Sequence, residues 1–242
     1  MDIRSTDRVL AILATLSAAT VAAMVVAIVW TKSSQDFFQT ARSVEAFTAH
    51  LAASPLNPLG LRINLGLDNL FLTLYAAFFV VLNARMRDML DSRILTVALA
   101  AILTTTFLDA LENHHIVEMA HAIESGLPIS TADGQFQMVA SQIKFHASYL
   151  SVLLYSFGFW QFGKLGRVIA VVLWCYIPCG VLISVMPPDA ARPLVLGRTI
   201  FFVFAFVLSA LLFFAPTRMR NQGQRDARGM EDRRPSLALS ET

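Results

Sequence analysis

Residues 94–115 constrain the fold most, because they are apolar enough to cross a membrane but too short to do so without acidic residues. The uncharged run 94–108 supplies 15 residues, whereas the hydrocarbon core of a bilayer requires about 20 residues of helix. A spanning helix therefore takes in Asp109, and with it Glu112 and Asn113. An ionisable side chain at the bilayer centre costs about 2.5–3.5 kcal/mol on insertion scales, so it normally faces protein or water and marks a site.

The composition predicts that this is one span of several. Hydrophobic residues make up 56% of the chain and charged residues 15%, whereas soluble domains carry about 25% charged residues. We therefore predict an all-α, polytopic integral membrane bundle with about six transmembrane helices, in a domain of residues 1–216. The predicted spans are 9–30, 65–82, 94–115, 138–162, 168–186 and 199–215.

Two segments are too polar to cross a membrane. Residues 33–51 carry apolar side chains at helical spacing between polar ones, which predicts a short amphipathic helix on the outer membrane surface, either a plain connector or a lid. Residues 217–242 are rich in Arg, Gly, Ser and Pro, which predicts a disordered basic cytoplasmic tail able to contact anionic lipid headgroups.

The distribution of Lys and Arg predicts the orientation. With the N-terminus inside, nine basic residues flank the inner ends of the spans and five flank the outer ends. The first apolar stretch is longer than that of a signal peptide, which favours an anchor that is retained. We therefore expect a bacterial inner-membrane protein with both termini in the cytoplasm, membrane lipids as partners and no nucleic-acid partner.

Three spans carry polar side chains along one helical face, at spacings of three, four, seven, eight or eleven residues. The polar side chains of such stripes find hydrogen-bond partners best when the stripes face one another. The acids and the lysine also lie at similar depths in the membrane when counted at about 1.5 Å per residue. Asn69 points away from the first stripe, towards a neighbouring helix. The stripes are Asn64, Asp68 and Tyr75; Thr105, Asp109, Glu112 and Asn113; and Lys144, Ser148, Ser151 and Tyr155.

This set has three acids and only Lys144 as a base. The acids that Lys144 does not balance must be protonated, or paired with a cation, a histidine or water. Our first hypothesis is therefore a binding or transport protein, whose polar site in the outer half of the bundle takes a proton, a cation or a small amphiphile. The structural alternative is a subunit of a membrane complex, in which polar contacts worth about 0.6 kcal/mol each fix helix packing.

A membrane enzyme is the other functional alternative. Asp109 or Glu112 would act as general acid or base on a lipid. The spacing Glu-x-x-His occurs at Glu112/His115 and again ending at His121, and His146 lies on the next span. This spacing supplies metal ligands in carboxylate bundles, so Glu112, His115, His121 and His146 are candidate ligands for a divalent metal. Solvated histidines at a helix end explain the same pattern without a metal.

Overall fold

The computed structural model describes residues 3–35, 43–45 and 57–215, and six long α-helices lie within them. A 3₁₀ turn, Trp160–Phe162, separates the fourth helix from the fifth, and these described residues contain no strand. The tail 217–242 and most of the predicted surface helix 33–51 lie outside the described residues. The helices are α1 Ile3–Thr31, α2 Pro58–Arg85, α3 Ser92–Glu124, α4 Thr131–Phe159, α5 Gly163–Val185 and α6 Pro188–Phe214.

Five helical stretches are long and apolar enough to cross a membrane, where the sequence predicts six. The difference arises in Thr131–Val185, which is one stretch by length because only the 3₁₀ turn interrupts it. The chain reverses at this turn, where Gly163 has φ 76° and ψ −155°. Beyond it, the indole of Trp174 stacks on Trp160 at 5.1 Å and donates to Ser156 Oγ at 2.6 Å, so α5 returns along α4.

The helices follow one another around the bundle. Helix α1 packs against α2 and α6, α3 packs against α2 and α4, and α5 packs against α4 and α6. Inside, aromatic rings meet edge to face across the bundle, as Phe71 meets Phe202 at 5.8 Å and Phe78 meets Phe206 at 5.4 Å. Large apolar side chains such as Val26 are exposed on the outside. An apolar outer surface around a packed core is the arrangement expected of a helical membrane bundle.

Several helices are longer than predicted, because their polar ends are capped or paired. Helix α3 ends at Glu124 rather than at 115, and Glu124 accepts a bond from Arg62 of α2 at 2.9 Å. Helix α4 begins at Thr131 rather than at 138, because the Ser130 side chain caps it by accepting from the Asp133 amide. Helix α6 begins at Pro188 rather than at 199, and proline is well suited to the first turn of a helix.

The two ends of the bundle differ in their polar contacts. At the end where α1 begins, here called the proximal end, Asp7 accepts from Arg85 at 2.9 Å, and Arg85 lies over the ring of Phe162. At the other end, the distal end, α1 finishes and Asn57 caps the start of α2. The buried acids of α2 and α3 lie towards the distal end.

Two glycines test the helix packing. A Cβ at Gly180 of α5 would overlap the hydroxyl of Tyr149, whereas a Cβ at Gly66 of α2 would meet nothing within 4 Å. We expect Gly180→Ala to lower the free energy of unfolding by about 1–3 kcal/mol through overpacking. Gly66→Ala, the matched control, should raise it by about 0.5–1 kcal/mol, because alanine favours the helix. Thermal unfolding in mild detergent measures both, and equal melting of Gly180→Ala and the unchanged protein would contradict this packing.

Candidate functional site

The centre of the site is an ion cluster between α3 and α4. Lys144 Nζ lies 2.7 Å from Asp109 Oδ1 and 2.7 Å from Glu112 Oε2. The two acids are three residues apart on α3, so they share a helical face and reach the same ammonium group. The exposed fraction is 3% for the Lys144 side chain, 14% for Asp109 and 0% for Glu112. One buried cation therefore bridges two carboxylates, of which Asp109 is the more accessible.

Asp68 of α2 lies next to this cluster but has a different set of partners. Asn113 Nδ2 of α3 donates to Asp68 Oδ2 at 2.8 Å and to Asn69 Oδ1 at 3.1 Å. Gln35, just after α1, also lies within hydrogen-bonding reach of the Asp68 carboxyl. Asp68 is 5% exposed, and no Lys, Arg or His of the described chain lies within 4 Å of its carboxyl. Neutral amides, rather than a cation, hold this third acid.

Hydroxyl groups fix the contact between α3 and α4 around the ion cluster. Thr105 Oγ1 shares its proton between the Ala101 carbonyl of its own helix at 3.0 Å and the Lys144 carbonyl at 3.3 Å, and Ser151 Oγ donates to the Ala98 carbonyl at 2.9 Å. Ser148 Oγ lies 3.4 Å from the Tyr176 hydroxyl of α5. The polar stripes of α3 and α4 thus face each other, which holds Lys144 in register with its two acids.

Buried acceptors exceed buried donors in this part of the bundle. Among the described residues, five buried side chains have an oxygen acceptor without a hydrogen-bond partner, whereas the unpartnered groups able to donate are Asn64 Nδ2 and the hydroxyls of Tyr75 and Ser17. A buried polar atom left unpaired costs about 1–3 kcal/mol, so such atoms normally meet a donor. The acceptors are Gln35 Oε1, Asn64 Oδ1, Glu112 Oε1, Asn113 Oδ1 and Gln137 Oε1.

Arg198 is a second buried cation that the sequence analysis did not place in the site. A residue that flanks a span at 199–215 is expected to be exposed, but α6 begins ten residues before Arg198, which is 7% exposed. Its guanidinium carbon lies 3.9 Å from the ring centroid of Phe145, and Lys144 Nζ lies 4.8 Å from the same centroid. A sequence signal existed, since Arg198 lies four and eight residues before Phe202 and Phe206, on the face that enters the aromatic core.

Two tyrosines that the sequence predicts in the site make no hydrogen bond to the ion cluster. The Tyr75 ring packs between Phe71 and Phe79, and its buried hydroxyl lies near Thr106 of α3 rather than at the ion cluster. Tyr155 lies further towards the proximal end, where its hydroxyl donates to Asn83 Oδ1 at 3.3 Å. Of the predicted ligand-binding residues, Tyr155 is therefore the one that the structure separates most clearly from Lys144.

The candidate metal ligands are not brought together either. His115 Nε2 lies 3.1 Å from the Asp133 carbonyl, and His146 Nδ1 lies 2.7 Å from the carbonyl of Gln142 on its own helix. The His121 side chain is 72% exposed. Over the part of the chain that the structure describes, no group of three or more His, Cys, Asp or Glu side chains is arranged to hold a metal ion. The divalent metal stays a prediction from spacing.

The candidate site thus combines two buried acids, Asp68 and Glu112, the half-buried Asp109, the shared Lys144 and the separate buried Arg198. Such a set is suited to binding and transferring a proton, because the protonation of one carboxyl group depends on the charge of its neighbours. Compared with models of known protein families, with curated proteins and with solved structures, the chain matches none.

Proposed function

We propose that this protein is a small multi-pass membrane protein whose distal polar site binds a proton, as part of a transport-related function. The observation that carries the proposal is the surplus acid. Lys144 is shared by Asp109 and Glu112, and Asp68 is held only by amides. An ionised carboxylate in that position would be buried without an ion-pair partner of its own, because Lys144 acts on it only at longer range, and such burial is costly. A bound proton at Asp68 removes this charge.

The buried oxygen atoms that lack a hydrogen-bond partner favour a bound proton over a bound metal cation. A neutral carboxyl group can donate one hydrogen bond, which an ionised one cannot. The surrounding buried oxygens, such as Asn113 Oδ1, need donors. Among the described residues, no group of three or more His, Cys, Asp or Glu side chains is arranged to hold a metal ion. A monovalent cation held by amide and carboxyl oxygens is the remaining alternative, and the experiment below separates it from a proton.

The proposal includes the topology. Six spans, with α4 and α5 each crossing the membrane, place both termini on the cytoplasmic side and the distal end outside, in a bacterial inner membrane. The proximal end carries the stacked pair Trp160 and Trp174, with Arg167 5.6 Å from the Trp160 centroid. Tryptophan is enriched at both membrane interfaces, and basic residues are enriched on the cytoplasmic side. Membrane lipids are then the immediate partners, and other membrane subunits would be further ones.

The test is the dependence of stability on pH and on monovalent cations. A ligand that binds only the folded protein raises its stability by mass action. We expect melting in mild detergent to rise as the pH falls through the range in which Asp68 takes up its proton. Replacing sodium or potassium by choline at constant ionic strength should change nothing. Asp68→Asn, which mimics the neutral carboxyl, should remove this pH dependence.

The matched control is Asp88→Asn, because Asp88 is an exposed acid in the turn after α2. It should keep the pH dependence of the unchanged protein. If sodium or potassium stabilises the protein and Asp68→Asn removes that effect, the bound ligand is a monovalent cation and not a proton. Identical pH profiles for Asp68→Asn and Asp88→Asn would contradict the proposal and favour the structural alternative, and turnover of a lipid lost in Glu112→Gln would favour the enzyme.

A further inference from the structure

We propose that Arg198 is the centre of a second site, which binds the carboxylate or phosphate of an organic anion with an apolar body. This inference does not rest on the proposed proton site, because its observations lie on α4, α5 and α6. The first observation is burial without charge balance. Arg198 is 7% exposed, and no carboxylate of the described side chains lies within 4 Å of it.

The second observation is that Arg198 and Lys144 lie against the same aromatic ring. Both cations lie within 5 Å of the centroid of Phe145, so they share one aromatic ring. Lys144 has two carboxylates of its own, and these lie on its α3 side. A ring face attracts a cation, but that attraction is much weaker than a buried ion pair. An anion at Arg198 would supply the counter-charge that the described side chains do not.

The third observation is the set of groups around the guanidinium. The Tyr149 hydroxyl lies within hydrogen-bonding reach of Arg198, and the Tyr176 hydroxyl is close enough to interact electrostatically. The two tyrosine rings meet at 5.5 Å, and Tyr176 also contacts Phe202. Hydroxyl donors and a guanidinium recognise an anionic oxygen, while the aromatic rings suit an apolar body. Each planar guanidinium can hold two oxygens of one carboxylate or phosphate.

The anion has two chemical sources, a soluble organic anion or the headgroup of a membrane lipid. The probes are therefore decanoate, decyl phosphate and inorganic phosphate in mild detergent, and lipid nanodiscs of phosphatidylglycerol or of phosphatidylcholine. Decylammonium and a neutral decyl glycoside control for the alkyl chain alone. Native mass spectrometry and the shift of the melting temperature report binding to the full chain.

We expect decanoate or decyl phosphate to bind to the unchanged protein, and Arg198→Gln to weaken binding at least about tenfold, as for loss of a charge-assisted hydrogen bond. Arg198→Lys should weaken it less, because the charge remains. Arg167→Gln is the matched control, since Arg167 is also an arginine over an aromatic ring but at the proximal end. It should bind like the unchanged protein.

The variants also keep the inference separate from the proton site. Asp68→Asn should bind the anion as the unchanged protein does, so failure of one proposal is distinguishable from failure of the other. If Arg198→Gln does not fold, Tyr149→Phe removes one hydroxyl from the same site and should weaken binding severalfold. Preference for phosphatidylglycerol discs would assign a lipid headgroup, and preference for decanoate a soluble anion. Equal binding in Arg198→Gln, equal binding of decylammonium, or no binding of any anion would overturn the inference.

Discussion

Lys144→Met is expected to lower the free energy of unfolding by about 3–5 kcal/mol, the range measured when one partner of a buried ion pair is removed. The variant leaves Asp109 and Glu112 beside each other on α3 without their shared cation. Methionine has nearly the length of lysine, so little packing is lost and the charge dominates the effect. The measurement is thermal unfolding of the purified protein, together with its accumulation in the membrane.

Two further variants show that charge, and not shape, is the cause. Lys164→Met is the matched control, because Lys164 is exposed at the proximal end, and it should unfold like the unchanged protein. The double variant Lys144→Met with Glu112→Gln removes one of the two stranded charges, so it should regain part of the lost stability. A single Lys144→Met variant as stable as Lys164→Met would mean that the ion cluster does not stabilise the fold.

Asp109→Asn is expected to abolish proton movement across the membrane while leaving the fold intact. Asparagine has the same shape and can still accept a hydrogen bond from Lys144, whose charge Glu112 continues to balance. Asp109 is the more exposed of the two acids at Lys144, and it is close enough to Asp68 to interact electrostatically. Asp109 lies four residues before Asn113, the partner of Asp68, on the proximal side, so it is positioned to exchange a proton with Asp68.

The assay uses proteoliposomes that contain a pH-sensitive dye, with a membrane potential imposed across them. Proton flux should exceed that of protein-free liposomes for the unchanged protein and for the control Asp88→Asn. For Asp109→Asn it should fall to the protein-free level, with an unchanged melting temperature. Equal flux in Asp109→Asn and Asp88→Asn would exclude Asp109 from the pathway, and the absence of flux in every sample would limit the protein to binding.

The sequence was sufficient to predict an apolar, all-helical bundle and its polar stripes, because both follow from short-range patterns. Uncharged runs of membrane-spanning length predict helices, and spacings of three and four residues place Asp109, Glu112 and Lys144 on helical faces. The depth count then places these three side chains near one another, and the structure pairs them at 2.7 Å. Asn113 could be assigned to the stripe, but not to Asp68, since that contact depends on how α2 and α3 rotate.

The helix ends and Arg198 were harder to predict, because hydropathy locates the membrane and not the end of a helix. The last span was predicted to begin at residue 199, where the apolar run begins, although α6 starts at Pro188. A span counted from hydropathy begins inside its helix, so Arg198 falls just before the predicted span although it lies within α6. The helix length also explains why the Glu-x-x-His spacing does not bring the candidate metal ligands together. Helix α3 includes residues 112–121 and continues to Glu124. On this helix Glu112 points to Lys144, whereas His121 points to the surface.

The most direct test of the central claim is the infrared spectrum of the purified protein at neutral pH. A protonated carboxyl group gives a carbonyl stretching band that an ionised carboxylate lacks, and this band shifts in heavy water. The account predicts the band in the unchanged protein and in Asp88→Asn, and its loss in Asp68→Asn. A spectrum of the unchanged protein without the band, or a band that Asp68→Asn retains in full, would contradict a bound proton at Asp68.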